Sequence, residues 1–329
     1  MGLITVGQKD LQAKATPKTV AVKEAVRQRT LKEAVSLTGI GLHSGAPVTL
    51  TLHPAPAGHG IHFHRIDMSQ NGTIAARWDC VSDTRMCSAL SNDQGVSVGT
   101  VEHLMAALAG CGIDNVRIEL DGPEVPVMDG SSQHFVDIIR AAGVVALDAD
   151  RRVIRVLKPV SVETDHGRAE LTPSPVFSVD FEIEFKSQAI RRQHLRLGVV
   201  NGAFCKELAN ARTFGFMHEV EAMQKAGLAR GGSLDNAIVI DGDKILNDGG
   251  LRHDDEFVRH KALDAVGDLY LAGGQIIGAY RAERAGHAIN NALLHMLFAD
   301  PDAWCYDVLR GEESKTAMDG GIKAEAAVV

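Results

Sequence analysis

The feature that most constrains this chain is a helix-length segment, FVRHKALDAVGD (Phe257 to Asp268), whose polar residues His260, Asp264 and Asp268 recur every four positions. Phe257, Val258, Leu263, Val266 and Leu269 supply the apolar surface of a helix expected from Asp255 to Leu271. Residues four apart share one helix face. Buried, such a stripe costs free energy unless other polar groups reach it, and those groups must come from elsewhere in the chain. Exposed, it is the wet side of the helix. An i, i+4 His/Asp pair can also place two donor atoms around one small cation, and zinc accepts both types. By itself this signal is weak, because H-x-x-x-D is a common spacing and a solvated stripe with an ion pair is the default reading of it.

Around this helix, strands and helices mix without regular βαβ alternation, which favours an α+β fold over a doubly wound sheet. VTLTLHPA (Val48 to Ala55) and GIHFHRI (Gly60 to Ile66) alternate as strands. TVEHLMAALAG reads as a helix capped by Thr100 and ended by Gly110, NVRIELDG as a strand, and SSQHFVDIIRAAG as a helix opened by Ser and closed by Gly143. After DADRR, near residue 150, the strand pattern restarts with VFSVDFEIEF. A helix from Gly202 to Ala211, a hairpin AIVIDGDKILN turning at Asp241-Gly242, a strand QIIGAY and a last helix from Ala288 to Ala299 complete the pattern. VTLTLHPAP has a short echo in AELTPSP (Ala169 to Pro175), each after a Gly-containing turn, which suggests two copies of one α+β unit. The expected organisation is a flexible extension over 1–28, a first domain over 29–150, a second over 151–313 and a weakly ordered tail over 314–329.

Composition narrows the function. A net charge of -8 argues against general nucleic-acid binding. The five cysteines (Cys80, Cys87, Cys111, Cys205, Cys305) include no C-x-x-C pair, so a disulfide framework and a thiolate zinc site are both disfavoured, and each is read as an isolated buried thiol. No apolar run approaches the ~18 residues of a membrane span, and the apolar stretch of MGLITVGQKD is too short for a signal peptide. A soluble, cytoplasmic protein is expected, acting without a transmembrane segment and without a required oligomer.

Three further segments carry candidate chemistry. In SVGTVEHLMAALAG, Glu102 and His103 point ~100° apart, so one could ligate a metal while the other reaches a bound water. That division suits hydrolysis, in which a metal lowers the pKa of water and a carboxylate takes its proton. In RAGHAINNALLHM, His287 enters a helix whose N-terminus disfavours imidazolium; to act as an acid it needs a carboxylate partner, and Asp268 is a candidate. In NARTFGF, the Thr213 hydroxyl lies between Arg212 and Phe214, where it could support an oxyanion. His59, His62 and His64 of HGIHFH lack an acidic companion and are read as sheet or surface residues, and His43 sits in a glycine-bracketed turn.

Taken together, TVEHLMAALAG, ARTFGF, DDEFVRHKALDAVGDLYLAGG and GHAINNALL resemble one family, the zinc-dependent UDP-3-O-acyl-N-acetylglucosamine deacetylases of lipid A synthesis in Gram-negative bacteria. TGIGLHSG and LDGPEVPVMDGSSQHF resemble its first-domain motifs, and the resemblance runs from about Gln28 to Leu297. It implies His103, His260 and Asp264 as ligands of Zn2+, with Fe2+ also accommodated by such donors. It implies Glu102 as general base, His287 paired with Asp268 as the cationic acid, Thr213 as an oxyanion donor, and Lys261 and Phe214 in contact with the acylated UDP-sugar substrate. It further implies two similar domains facing each other across the active site, with an insert near 227–250 forming a passage for the acyl chain. Two competing readings are a non-catalytic binder of UDP-sugars or acyl chains and a zinc amidohydrolase acting on another N-acetyl substrate.

Overall fold

A computed structural model describes residues 24–311 and the backbone of Ala327–Val328. The architecture is α+β and is built from a repeated sheet. The first sheet has the spatial order Val35–Ile40, Pro47–Pro54, Val116–Leu120, Ile61–Arg65, Thr73–Ala75. Its successive pairings are antiparallel, antiparallel, parallel and antiparallel. The second sheet, Val160–Glu163, Arg168–Thr172, Ala279–Glu283, Ser178–Glu184, Arg192–Gly198, repeats both the order and the pairing pattern. Ala327–Val328 adds at its outer edge. The echo between VTLTLHPAP and AELTPSP falls on the second strand of each sheet, so it marks topologically equivalent positions.

Alternation explains how each sheet acquires one apolar face. Val48, Leu50 and Leu52 are buried along one strand, and Ala169 and Leu171 along its counterpart in the second sheet, beside Val179, Phe181 and Ile183 of Ser178–Glu184. Each central strand is preceded by one helix and followed by another. In the first unit these are α1 (Glu102–Cys111) and α2 (Gln133–Ala142); in the second they are α4 (Glu256–Tyr270) and α5 (His287–Ala299). α1 and α4 pack directly on each other. At Gly267 the contact is so close that a Cβ would collide with the carbonyl oxygen of Glu102. One continuous apolar core runs from the first sheet through both helices to the second.

Each unit also carries a small three-stranded sheet. In the first it comprises Val81–Asp83, Ala89–Ser91 and Ser97–Val98; in the second, Phe214–Phe216, Ile238–Asp241 and Lys244–Ile245, together with α3 (Met217–Lys225). The expected insert over 227–250 is therefore the later part of an element that begins near Phe214. Its GLARGGS segment lies across the TGIGLHSG turn of the first unit. Arg230 N–H donates to the His43 carbonyl at 3.3 Å and Gly231 N–H to that of Leu42 at 3.0 Å. A Cβ on Gly231 would collide with the Gly41 carbonyl oxygen.

Several local expectations are corrected. The flexible extension does not reach residue 28: Arg27–Leu31 forms a strand antiparallel to Val144–Asp150, and Val26 N–H donates to the Leu309 carbonyl at 2.8 Å. Residues 1–23 and most of the expected tail lie outside the described residues. Thr100 does not cap α1. It has φ 56°, unusual for a β-branched residue, and its hydroxyl instead donates to Glu124 at 2.9 Å. α1 ends at Gly112, whose φ of 69° supplies the left-handed stop. The helix expected over Gly202–Ala211 is only a π-turn, Phe204–Leu208, because the following residues must extend toward α4. The hairpin turns at Gly242-Asp243, since Asp241 pairs with Lys244. QIIGAY breaks at Gly278 into Gln275–Ile277, which pairs with Arg152–Val156, and the central strand of the second sheet. The five cysteines are free, and none is fully buried. No helix among the described residues is long and apolar enough to cross a membrane.

Candidate metal centre and active site

The polar stripe of α4 is not a wet face. Every residue of the helix except Lys261 is buried. Its start is fixed by Glu256, whose carboxylate accepts from the Arg212 backbone N–H at 3.0 Å, from Arg212 Nε at 2.9 Å and from the Arg252 backbone N–H at 2.6 Å. Burial would raise the Glu256 pKa, but these hydrogen bonds hold it below its ordinary value. They also pin the extended Ala211–Thr213 segment against the first turn of the helix. The Ala211 carbonyl thereby lies 3.1 Å from His260 Nδ1. With Nδ1 as the donor, Nε2 presents its lone pair away from the backbone.

That lone pair faces Asp264 Oδ1 at 3.3 Å, and His103 Nε2 lies 3.6 Å from the same oxygen. His103 comes from the first turn of α1, so the first unit completes a group begun by the second. Ligand atoms of His103, His260 and Asp264 all lie within 4.8 Å of one another, and all three residues are buried. The two imidazole rings meet edge to face, with centroids 5.0 Å apart. Asp264 Oδ1 has no hydrogen-bond partner. A buried carboxylate oxygen left unpaired beside two imidazoles is costly, and a divalent cation at their centre satisfies all three. The chemistry of the donor set therefore fits a metal ion. Burial pushes His260 down to about 4, against the attraction of Asp264, so its ring is neutral and available as a ligand near neutral pH. Asp264 is held well below its ordinary range, because His260 and the Lys261 ammonium outweigh its burial. Lys261 Nζ donates to Asp264 Oδ2 at 2.8 Å.

Beside this group sits a second cluster. Burial raises the pKa of Glu102 against the pull of His287 and His103, and its Oε2 accepts the Ser88 N–H at 3.0 Å. Its Oε1 lies 3.8 Å from His287 Nε2. His287 opens α5, where the helix dipole disfavours a proton. Its Nδ1 is 2.8 Å from Asp268 Oδ2, one turn beyond Asp264 on α4. Burial alone would lower the His287 pKa, yet Asp268 and Glu102 raise it to about 9. Asp268 is itself fixed by Ser88 Oγ at 2.6 Å and Asn290 Nδ2 at 2.8 Å, and Tyr280 Oη donates to Asn290 Oδ1 at 2.5 Å.

His103, His260 and Asp264 are thus assembled at one point, and Glu102, His287 and Asp268 adjoin them. Thr213 is two residues beyond Ala211, its N–H bonded to the Gly130 carbonyl at 2.8 Å, and its side chain is half-buried. Phe214 packs edge-on against Phe257, with ring centroids 4.9 Å apart, and lies 6.3 Å from the His260 ring. Sequence reasoning did not single out Ser88, Asn290, Glu256 or the Ala211 carbonyl. Asn290 carried a signal, three residues after His287 and so on its side of the helix; Ser88 carried none. His62 and His64 lie on the Ile61–Arg65 strand of the first sheet, and His59 packs against His62 with centroids 4.9 Å apart.

The chain was also compared with known proteins. A family model described as UDP-3-O-acyl N-acetylglycosamine deacetylase matches residues 28–299. A UDP-3-O-acyl-N-acetylglucosamine deacetylase of Idiomarina loihiensis is 50% identical over 294 residues, covering 89% of this chain and 96% of the relative. One of Vibrio cholerae is 52% identical over 281 residues, with coverage of 85% and 92%. One of Shewanella loihica is 49% identical over 279 residues, with coverage of 84% and 91%.

Proposed function

The chain belongs to the UDP-3-O-acyl N-acetylglycosamine deacetylase family, and from that membership we propose that it hydrolyses the acetamido group of a UDP-3-O-acyl-N-acetylglucosamine. The products are the free amine and acetate, and the reaction is the committed deacetylation of lipid A biosynthesis, carried out in the cytoplasm of a Gram-negative bacterium. The observation that carries this reading is the meeting of His103 with His260 and Asp264, three buried donors from two helices and two halves of the chain.

In this reading His103, His260 and Asp264 hold Zn2+, with Fe2+ a substitute that imidazole and carboxylate also accept. The ion, when bound, supplies Lewis acidity that activates water and polarises the substrate carbonyl. The remaining work falls to the chain. Glu102 takes a proton from the attacking water; its raised proton affinity, caused by burial, suits that task. His287, protonated and anchored through Nδ1 on Asp268, directs Nε2 to the same space as Glu102. It stabilises the developing oxyanion and delivers a proton to the departing amine. The Thr213 hydroxyl is a second donor to that oxyanion, and each such donor is worth about 3 kcal/mol in the transition state.

Lys261 orients Asp264 while its ammonium faces the sugar, and Phe214 forms a wall of the substrate site. The two repeated units correspond to domains over 29–150 and 151–313. The element containing α3 receives the acyl chain, a reading supported by the exposed apolar side chains Leu228 and Leu234.

Metal analysis combined with an assay of acetate release tests the proposal. The purified protein is expected to hold about one divalent ion per chain, to lose activity on chelation and regain it with Zn2+, and to prefer the 3-O-acylated UDP-sugar over the non-acylated one. Equal rates on both sugars would instead favour a general N-acetyl amidohydrolase. Binding of the acylated sugar without turnover would favour a non-catalytic binder.

A further inference from the structure

We propose that Tyr280 and Asn290 are positioning residues: the Tyr280 hydroxyl anchors the Asn290 amide, and the amide in turn fixes the Asp268 carboxylate that seats His287. The inference deepens the reading of His287 as the acid of the deacetylation and rests on it. Tyr280 lies on Ala279–Glu283, the central strand of the second sheet, and is fully buried. Asn290 follows His287 by three residues on α5, and Asp268 comes from α4. They are only 1% and 2% exposed, so water is no substitute partner for either. A strand and two helices therefore meet at three side chains that must satisfy one another.

The chemistry of the groups fixes the direction of each hydrogen bond. Asp268 Oδ2 lies 2.8 Å from Asn290 Nδ2 and 2.8 Å from His287 Nδ1, and Oδ1 accepts from Ser88 Oγ at 2.6 Å. An ionised carboxylate only accepts, so Asn290 turns its amino group to Asp268 and its Oδ1 the other way. There Oδ1 meets Tyr280 Oη at 2.5 Å. A phenol carries its proton near neutral pH, and it is the donor. Without that hydroxyl the buried Oδ1 is unpaired, which is costly; the amide then turns toward another donor and draws Nδ2 off the carboxylate. Oδ2 would be left with His287 alone, and Asp268 could swing with the ring. The consequence reaches the far side of the imidazole, where Nε2 lies 3.8 Å from Glu102 Oε1. Reacting groups have to be held within about half an ångström of their working geometry, so a loosened Nδ1 anchor misplaces Nε2. A network that served only to satisfy a polar core would change stability and leave His287 where it is.

A double-mutant cycle with His287 separates the two roles. Tyr280→Phe, which removes one oxygen and keeps the ring, and Asn290→Ala are assayed for acetate release from the 3-O-acylated UDP-sugar, alone and in a His287→Gln background, with metal content measured for each. Alone, each is expected to lower kcat by roughly ten- to a hundredfold with KM and metal content unchanged. In His287→Gln neither should have a further effect, since the placement of an absent imidazole cannot matter. Proton and nitrogen NMR of the unsubstituted protein should show the His287 Nδ1 proton as strongly deshielded and slow to exchange, and Tyr280→Phe should broaden or abolish that signal. Should Asn290→Ala fail to fold, Tyr280→Phe and the proton signal decide. Should the unsubstituted protein release no acetate, the deacetylase reading fails, and the proton signal still decides whether Tyr280 and Asn290 seat the ring. The same fold-loss with and without His287, or an unchanged proton signal in Tyr280→Phe, overturns the proposal.

Discussion

The two halves of the molecule share one topology and use it differently. In the first, the helix before the central strand contributes adjacent residues, Glu102 and His103, which point in different directions from the first turn of α1. In the second, the equivalent helix contributes a stripe down its length, His260, Asp264 and Asp268, and the following helix adds His287. Strand order and pairing survive in both copies, whereas the placement of polar groups on the paired helices does not. The repeat thus supplies a frame, and the proposed chemistry is placed at the seam where α1 and α4 touch.

That division can be broken at graded cost. Glu102→Gln keeps the helix and the three donor residues while removing the proposed base; turnover should fall by roughly 10²–10⁴-fold with metal content unchanged. Loss of metal together with activity would mean that the two neighbours on α1 are not separate in function.

Gly267→Ala tests the seam itself. Its Cβ would collide with the Glu102 carbonyl oxygen, so a loss of about 1–3 kcal/mol in denaturant unfolding is expected, with an activity loss at temperatures where the variant is still folded. An undiminished midpoint would show that the helices can part without penalty.

A smaller effect is expected from Asp268→Asn, which removes the chief charge raising His287. The alkaline limb of the rate profile should move from about 9 toward the ordinary 6.5. Because the folded-state pKa of His287 is raised, its contribution to stability is complete below about 6.5 and is lost as the pH rises through about 9. Unfolding at a series of pH values should show that alkaline loss in the parent protein and not in the variant.

Ser88→Ala is the mildest. It deletes the 2.6 Å hydrogen bond to Asp268 but leaves the backbone donor to Glu102 in place. About 1–2 kcal/mol of stability is at stake, with a slight acidward shift of the same alkaline limb.

Much of this seam was legible in the order of residues. A four-residue period in His260, Asp264 and Asp268 is visible because helical geometry turns spacing into a shared face, and the need of His287 for a carboxylate followed from its place at a helix start. The sharing of one centre by His103 and His260 was reached only through resemblance, since no local rule joins residues so far apart in the chain. Ser88 was illegible for a related reason: its backbone N–H serves Glu102 and its hydroxyl serves Asp268, and neither task leaves a pattern in its neighbours. Local punctuation misled at Thr100, where a typical cap residue instead adopts a left-handed conformation and spends its hydroxyl on Glu124. The helix expected over Gly202–Ala211 failed because tertiary demand for an extended strap at Ala211 overrode propensity.

The crossing of GLARGGS over the TGIGLHSG turn bears on how such an enzyme can be re-engineered. Because two main-chain hydrogen bonds and a glycine-sized gap join the halves there, a chimera that exchanges only the second half with a relative inherits an ill-fitting lock on the first. Grafts that probe the proposed acyl-chain role of this element should therefore carry both segments across together, as one heritable block.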